Sequence, residues 1–241
     1  MDNIILILGA SSDLGIQLIK SINEDCLIIA HYHSNINRFD NLETVSKNKI
    51  IPIHADFSSE SSVSEFIHQV EAFGTPTKIV HLAASKFENT RFRSLNPNSF
   101  INELNISLVS FMRILKAFLP KMALQRKGRI VTLLSSVTFG VPPKALSQYT
   151  TIKYALLGLM KSVASEYGEK KITFNGISPS MIETQFISKL NEKIIEISAQ
   201  NNPLKRNAMV DDVVPTILFL LSEDAKFING TNIPITGGSN F

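Results

Sequence analysis

Five apolar residues in a row, Ile4-Ile5-Leu6-Ile7-Leu8, run straight into the turn Gly9-Ala10-Ser11-Ser12-Asp13-Leu14-Gly15. A strand with one face in water alternates apolar and polar residues. A strand that is apolar at every position is covered on both faces, as in a parallel sheet. Further short apolar runs follow at Leu27–Tyr32, Ile50–His54, Lys78–Ala83, Arg129–Leu134, Ile172–Ile177 and Asn232–Ile235. Between them lie segments of helical period near 14–23, 60–72, 98–123, 149–167, 185–200 and 211–221. Gly168 follows one of these, where a helix end favours glycine. The alternation predicts an α/β fold: a doubly wound, Rossmann-type parallel sheet of about seven strands with helices on both faces. Ligands of such sheets bind at the carboxyl ends of the strands, where the winding direction switches. The residues just after each strand therefore carry the functional argument.

Composition excludes several alternatives. Apolar residues make up 44% of the 241-residue chain, enough for a core, and no Pro/Gly/Ser-rich linker divides it. One domain, residues 1–241, is expected. A net charge of +3 without a Lys/Arg cluster gives no reason to expect a nucleic-acid partner. The single cysteine, Cys26, leaves no disulfide framework and no Cys-based zinc site. No basic start precedes a long apolar run, and no stretch reaches the ~18 apolar residues of a membrane span. These features predict a soluble cytoplasmic protein with no membrane partner.

The first turn has the chemistry of an anion site. Small residues let the backbone approach a phosphate, and the N–H groups of the following helix face it. After the second strand comes His33-Ser34-Asn35, with no Asp or Glu. An acid there accepts from the ribose hydroxyl of NAD and repels the 2′-phosphate of NADP. Hydrogen-bond donors in its place favour NADP(H), with NAD(H) as the alternative, although no arginine stands at that spot. His31 and His33 share one side of the strand, but lack a third ligand nearby; they read as a partly exposed strand end rather than a metal site.

Tyr149-Thr150-Thr151-Ile152-Lys153 is the sharpest catalytic feature. Residues four apart share a helix face. An ammonium beside a phenol lowers its pKa from about 10 and makes it a usable proton donor or acceptor. The same spacing recurs at Tyr167 and Lys171, but Gly168 between them ends the helix and destroys the shared face. Ser135-Ser136 follows the apolar run Ile130–Leu134, where a hydroxyl steadies a developing oxyanion. Asn105, inside a helical segment, is mildly unfavourable there and invites a reason.

Together these segments resemble the short-chain dehydrogenase/reductase family, whose cofactor loop reads Thr-Gly-x-x-x-Gly-x-Gly. Gly9 and Gly15 match its first and last glycines; Leu8 replaces the threonine and Asp13 the middle glycine. The resemblance spans Asn3 to Gly238 and implies a bound nicotinamide. It implies cofactor contacts from Gly9, Ser11, Ser12, Asp13, Leu14, Gly15, Tyr32, His33 and Ser34, with Tyr32 where the family places its acid. It adds Asp56 and Phe57 near the adenine. It also adds Ala83 and Ala84, in place of the family's Ala-Gly, beside the ribose. Pro179, Ile182 and Thr184 would meet the nicotinamide end, with Ser180 replacing a glycine. Tyr149 and Lys153 would contact the cofactor as well as the substrate.

The family's catalytic set maps onto Asn105, Ser136, Tyr149 and Lys153. Spacing to the tyrosine selects Ser136, whereas counting from Gly128 selects Ser135; Ser136 keeps the family's loop length. The expected activity is that of a nicotinamide-dependent carbonyl reductase acting on a small carbonyl or alcohol, in a branch that includes 3-oxoacyl-carrier-protein reductases. A homotetramer or homodimer is implied. Residues 184–202 would form a substrate lid. Its Phe186, Ile187, Leu190, Ile194, Ile195 and Ile197 either line the pocket or pack on the body. The substitutions at Asp13, Ala84 and Ser180 leave a second reading open, a nicotinamide-binding regulatory or scaffold protein without turnover.

Overall fold

The computed structural model describes residues 3–85, 89–188 and 190–239. Strand β1 (Ile4–Leu8) leads into helix α1 (Asp13–Ser21), strand β2 (Leu27–Tyr32), a 3-10 turn (Ile36–Phe39), the short helix α2 (Leu42–Val45) and strand β3 (Lys49–His54). Helix α3 (Glu60–Glu71) returns the chain to strand β4 (Lys78–His81). Helix α4 (Pro97–Leu104), a π turn (Asn105–Val109) and helix α5 (Ser110–Gln125) precede strand β5 (Gly128–Leu133). Helix α6 (Ser147–Tyr167), strand β6 (Ile172–Pro179), helices α7 (Glu192–Asn201) and α8 (Val210–Leu221), and strand β7 (Asn232–Ile235) complete the order.

The strands form one parallel sheet in the order β3-β2-β1-β4-β5-β6-β7. This is the doubly wound sheet expected from the apolar runs. Every residue of β1 and β6 is buried, whereas only Ile50 and Ile53 are buried in the edge strand β3. Its Pro52 is tolerated because an edge strand can spare a backbone donor. One core packs α3, α5 and α6 on one face, around Phe66, Phe111, Phe118 and Phe174. The other packs α1 and α8 on the opposite face, around Leu18, Ile19, Ile217 and Leu220. Among the described residues no helix is long and apolar enough to cross a membrane.

Three local expectations change. The segment 98–123 is helical throughout but not regular: the Ser110 N–H bonds back to the Asn105 carbonyl, five residues earlier, and inserts a π turn between α4 and α5. Gly168 ends α6 but stays right-handed; the chain continues as a 3-10 turn, and Lys171 takes the left-handed conformation at φ 58°. The segment 185–200 divides into a 3-10 turn (Gln185–Ile187) and α7.

Candidate active site

Strand β1 lies between β2 and β4, so successive connections leave it in opposite directions and open a crevice at the strand ends. A cavity of about 600 Å³ occupies this position. It runs from the end of β2, past the turn after β1, to the ends of β4, β5 and β6.

Gly9, Ser11, Ser12, Asp13 and Leu14 line the cavity. Gly9 has φ 81°, and a Cβ there would lie 2.8 Å from the Ala83 nitrogen, so the close approach of the two loops requires glycine. Ser12 caps α1: its Oγ accepts the Gly15 N–H at 3.1 Å and donates to the Gly9 carbonyl at 2.8 Å. Gly15 stands behind the turn rather than in it. A Cβ there would meet the Ala10 carbonyl at 2.4 Å, so this glycine serves packing.

His31 is buried, not part of an exposed strand end. The Gly9 N–H donates to His31 Nδ1 at 3.0 Å, and Nε2 lies 3.1 Å from the Ala55 carbonyl oxygen. Only the neutral ring protonated on Nε2 satisfies both contacts. The ring stacks on Phe57 with centroids 3.8 Å apart. Burial pushes its pKa down to about 4. No metal-binding cluster of His, Cys, Asp or Glu occurs among the described residues.

At the same end, His33, Ser34, Asp56 and Phe57 line the cavity. Tyr32 does not; its ring packs edge-on against Phe39 and His54. Asp56 Oδ1 accepts from the Ser58 hydroxyl at 2.6 Å and the Ser58 N–H at 2.8 Å, which holds its carboxyl below the usual range. Arg38, from the 3-10 turn after β2, also lines the cavity. It supplies the guanidinium that the residues directly after the strand lack. No periodic pattern marks it in the sequence.

At the other end, Ala83, Ala84, Tyr149, Lys153, Pro179, Ile182 and Thr184 line the cavity. The count that selects Ser136 is corrected here. Ser135 lines the cavity and hydrogen-bonds with Tyr149, while Ser136 begins the next 3-10 turn and is not in the lining. Strand β5 ends at Leu133, so the serine two positions on reaches the opening.

Lys153 is buried; its Nζ donates to the Leu133 carbonyl at 2.7 Å and lies 5.5 Å from the Tyr149 ring centroid. Burial pushes its pKa down to about 8, partly opposed by Glu103. The downward shift expected for Tyr149 is not found. Burial pushes the phenol up to about 12; the Ser135 bond opposes this and the Glu103 charge adds to it.

Asn105 opens the π turn, and its neighbour Ile106, rather than Asn105 itself, is in the lining. Glu103, two residues earlier, was not legible as a site residue. Its carboxylate accepts from Ser85 Oγ and, at 3.3 Å, from Gln148 Nε2. Phe186, Ile187 and Leu190 of the expected lid line the cavity, whereas Ile194 and Ile197 are exposed on α7. Lys189 lies outside the described residues.

The residues fit a dinucleotide: a tight turn of small residues lining the cavity, a helix start, and a cavity of suitable size that spans the strand ends. This fold and site define a class, the nicotinamide-dependent oxidoreductases. The sequence model of the family described as enoyl-(acyl carrier protein) reductase matches residues 20–240. The chain belongs to this family, within the short-chain dehydrogenases/reductases, and is an NAD(P)-dependent oxidoreductase. It is 27% identical to a 3-oxoacyl-(acyl-carrier-protein) reductase of Staphylococcus epidermidis, over 99% of both chains. A solved 3-oxoacyl-(acyl-carrier-protein) reductase of Agrobacterium tumefaciens, with NADP bound, superposes with a TM-score of 0.87 at 22% identity, over 98% of this chain and 94% of that one. One from Brucella melitensis, with NAD bound, gives 0.86 at 20% identity, over 98% and 90%.

Proposed function

We propose that the chain is a carbonyl reductase that prefers NADP(H) and uses Ser135, Tyr149 and Lys153. The observation that carries this reading is the convergence of two hydroxyls and one ammonium on the same cavity at the switch point. A bound dihydronicotinamide supplies the hydride. Tyr149 donates its phenolic proton to the oxygen of the carbonyl being reduced. Ser135 donates a second hydrogen bond to that oxygen and orients it. Lys153 spends one N–H on the Leu133 carbonyl and keeps two for the cofactor ribose and for charge stabilisation of the phenolate. Asn105, at the π turn that packs against α6, supports the path by which Tyr149 regains its proton.

His33, Ser34 and Arg38 at the adenosine end support NADP(H), since no carboxylate lies directly after β2 to repel the 2′-phosphate. The curated relative in Staphylococcus epidermidis supports a 3-oxoacyl thioester as substrate. Residues 184–202 cover the substrate, with Phe186, Ile187 and Leu190 facing it. Exposed Ile101, Met112 and Tyr154 on α4, α5 and α6 support a homodimer or homotetramer. The test is fluorescence titration with NADPH and NADH, followed by a panel of 3-oxoacyl thioesters and simple ketones. Tighter NADPH binding and thioester turnover are expected; binding without turnover of any carbonyl would overturn the catalytic assignment.

A further inference from the structure

Asp13 stands where the family's cofactor loop carries a glycine, and a carboxylate beside a diphosphate is unfavourable unless something engages it. Two elements do so. Asp13 Oδ1 accepts from Arg38 Nη2 at 2.7 Å, and Oδ2 accepts the backbone N–H of Gln185 at 2.7 Å. Arg38 Nη1 also donates to Gln185 Oε1 at 3.4 Å. The three residues come from the start of α1, the 3-10 turn after β2 and the first turn of the covering segment. All three line the cavity.

Among the described residues, other ties of the covering segment lie away from the cofactor loop: Asn207 Nδ2 donates to the Ile195 carbonyl at 3.1 Å and Asn202 Nδ2 to the Thr236 carbonyl at 2.9 Å. Its base is held by the bridge between Ile182 and Ala208, where the Glu183 N–H meets the Ala208 carbonyl. Its helix α7 contains no buried residue. The knot at Gln185 is thus well placed to decide whether the segment rests over the cofactor loop. Both oxygens of Asp13 are committed to it, so its charge is turned toward Arg38 and a backbone donor.

We propose that Asp13 is a positioning residue: a clasp that ties the covering segment to the cofactor loop and slows exchange of the nicotinamide cofactor. The exchange part rests on the reading of the chain as a nicotinamide-dependent reductase; the tie itself does not. Asp13→Gly restores the family's residue, and Asp13→Ala suits the first turn of a helix, so both variants should fold. Asp13→Asn keeps an acceptor for one of the two donors.

The first measurement is hydrogen exchange of peptides covering residues 185–188 in the full chain without cofactor. Exchange about tenfold faster in Asp13→Ala is expected, the size of one lost charge-assisted hydrogen bond, with Asp13→Asn intermediate. Unchanged exchange overturns the clasp, whether or not the protein binds a nicotinamide. The second is stopped-flow binding and chase of NADPH and NADH. Association and dissociation should both accelerate several-fold in Asp13→Ala, with Kd moving less than either rate. Faster association with slower dissociation would overturn the proposal and leave Asp13 as a simple electrostatic repulsion of the diphosphate. Failure of wild type to bind either nucleotide would instead overturn the reductase reading, and the hydrogen-exchange result would still decide the tie.

Discussion

The two ends of the cavity depart from the family pattern to different degrees. At the catalytic end, serine, tyrosine and lysine stand at the ends of β5 and on α6 without substitution, and the structure brings them together. At the adenosine end, Leu8, Asp13 and Tyr32 all differ from the pattern, and each departure has a local answer. His31 takes the Gly9 N–H, Arg38 and Gln185 engage Asp13, and Tyr32 turns away to pack on Phe39 and His54. Chemistry on a transferred proton tolerates little change in donor or distance. Holding a dinucleotide requires only that every buried polar group be satisfied and that the backbone come close, which several residue sets achieve.

The largest test of this contrast is Tyr149→Phe. It should lower kcat by about 10³-fold while leaving NADPH affinity near wild type, read by steady-state kinetics and fluorescence titration. Near-full activity would show that the catalytic end is as replaceable as the other. Next, Ser135→Ala should cost about 10²-fold in kcat, and Ser136→Ala should stay within a few-fold. The reverse order would return the role to the serine that spacing selects.

The adenosine end should show its dependence on one neutral ring. The pKa of His31 falls from 6.5 to about 4 on folding, so the unfolded chain binds more protons between these values. The stability His31 contributes is complete above pH 6.5 and is lost as the pH falls toward 4. The wild-type Tm should therefore drop across this window more steeply than that of His31→Asn, whose amide oxygen still accepts the Gly9 N–H. Parallel profiles would remove His31 as the support of the loop. The smallest change in stability is expected for Lys153→Met. Folding lowers the lysine pKa from 10.5 to about 8, so its charge opposes folding at neutral pH, and wild-type stability gains as the pH rises from 8 to 10.5. The variant should lose turnover yet raise Tm at pH 7 by roughly 2–4 °C, the shift that about 1 kcal/mol gives a domain of this size.

The fold was legible because its signal is repeated. Strand β1 is apolar throughout, the other central strands carry apolar cores, and β1, β2 and β7 fall on the residues their runs predict. That Tyr149 and Lys153 share one face was legible because one helix carries both, and both line the cavity. What was hidden depends on contacts distant in sequence or on small changes of backbone. Arg38 sits in an aperiodic turn and meets Asp13 only when the chain folds back. Glu103 likewise meets Ser85 and Gln148 only when the chain folds back, and nothing in hydrophobic spacing marks it. The choice between Ser135 and Ser136 turned on where β5 stops, a difference of one residue that apolar character alone does not resolve. The upward shift of Tyr149 also escaped, because spacing places a cation nearby but does not report how much water the fold removes.

The bridge between Ile182 and Ala208 closes a loop whose two feet stand side by side at the rim of the sheet. Closing a longer or shorter loop between fixed feet changes the entropy only slowly with length. Descendants of this chain can therefore gain or lose residues in that stretch, and so remould what the enzyme accepts, while the seven strands beneath inherit their alignment unchanged.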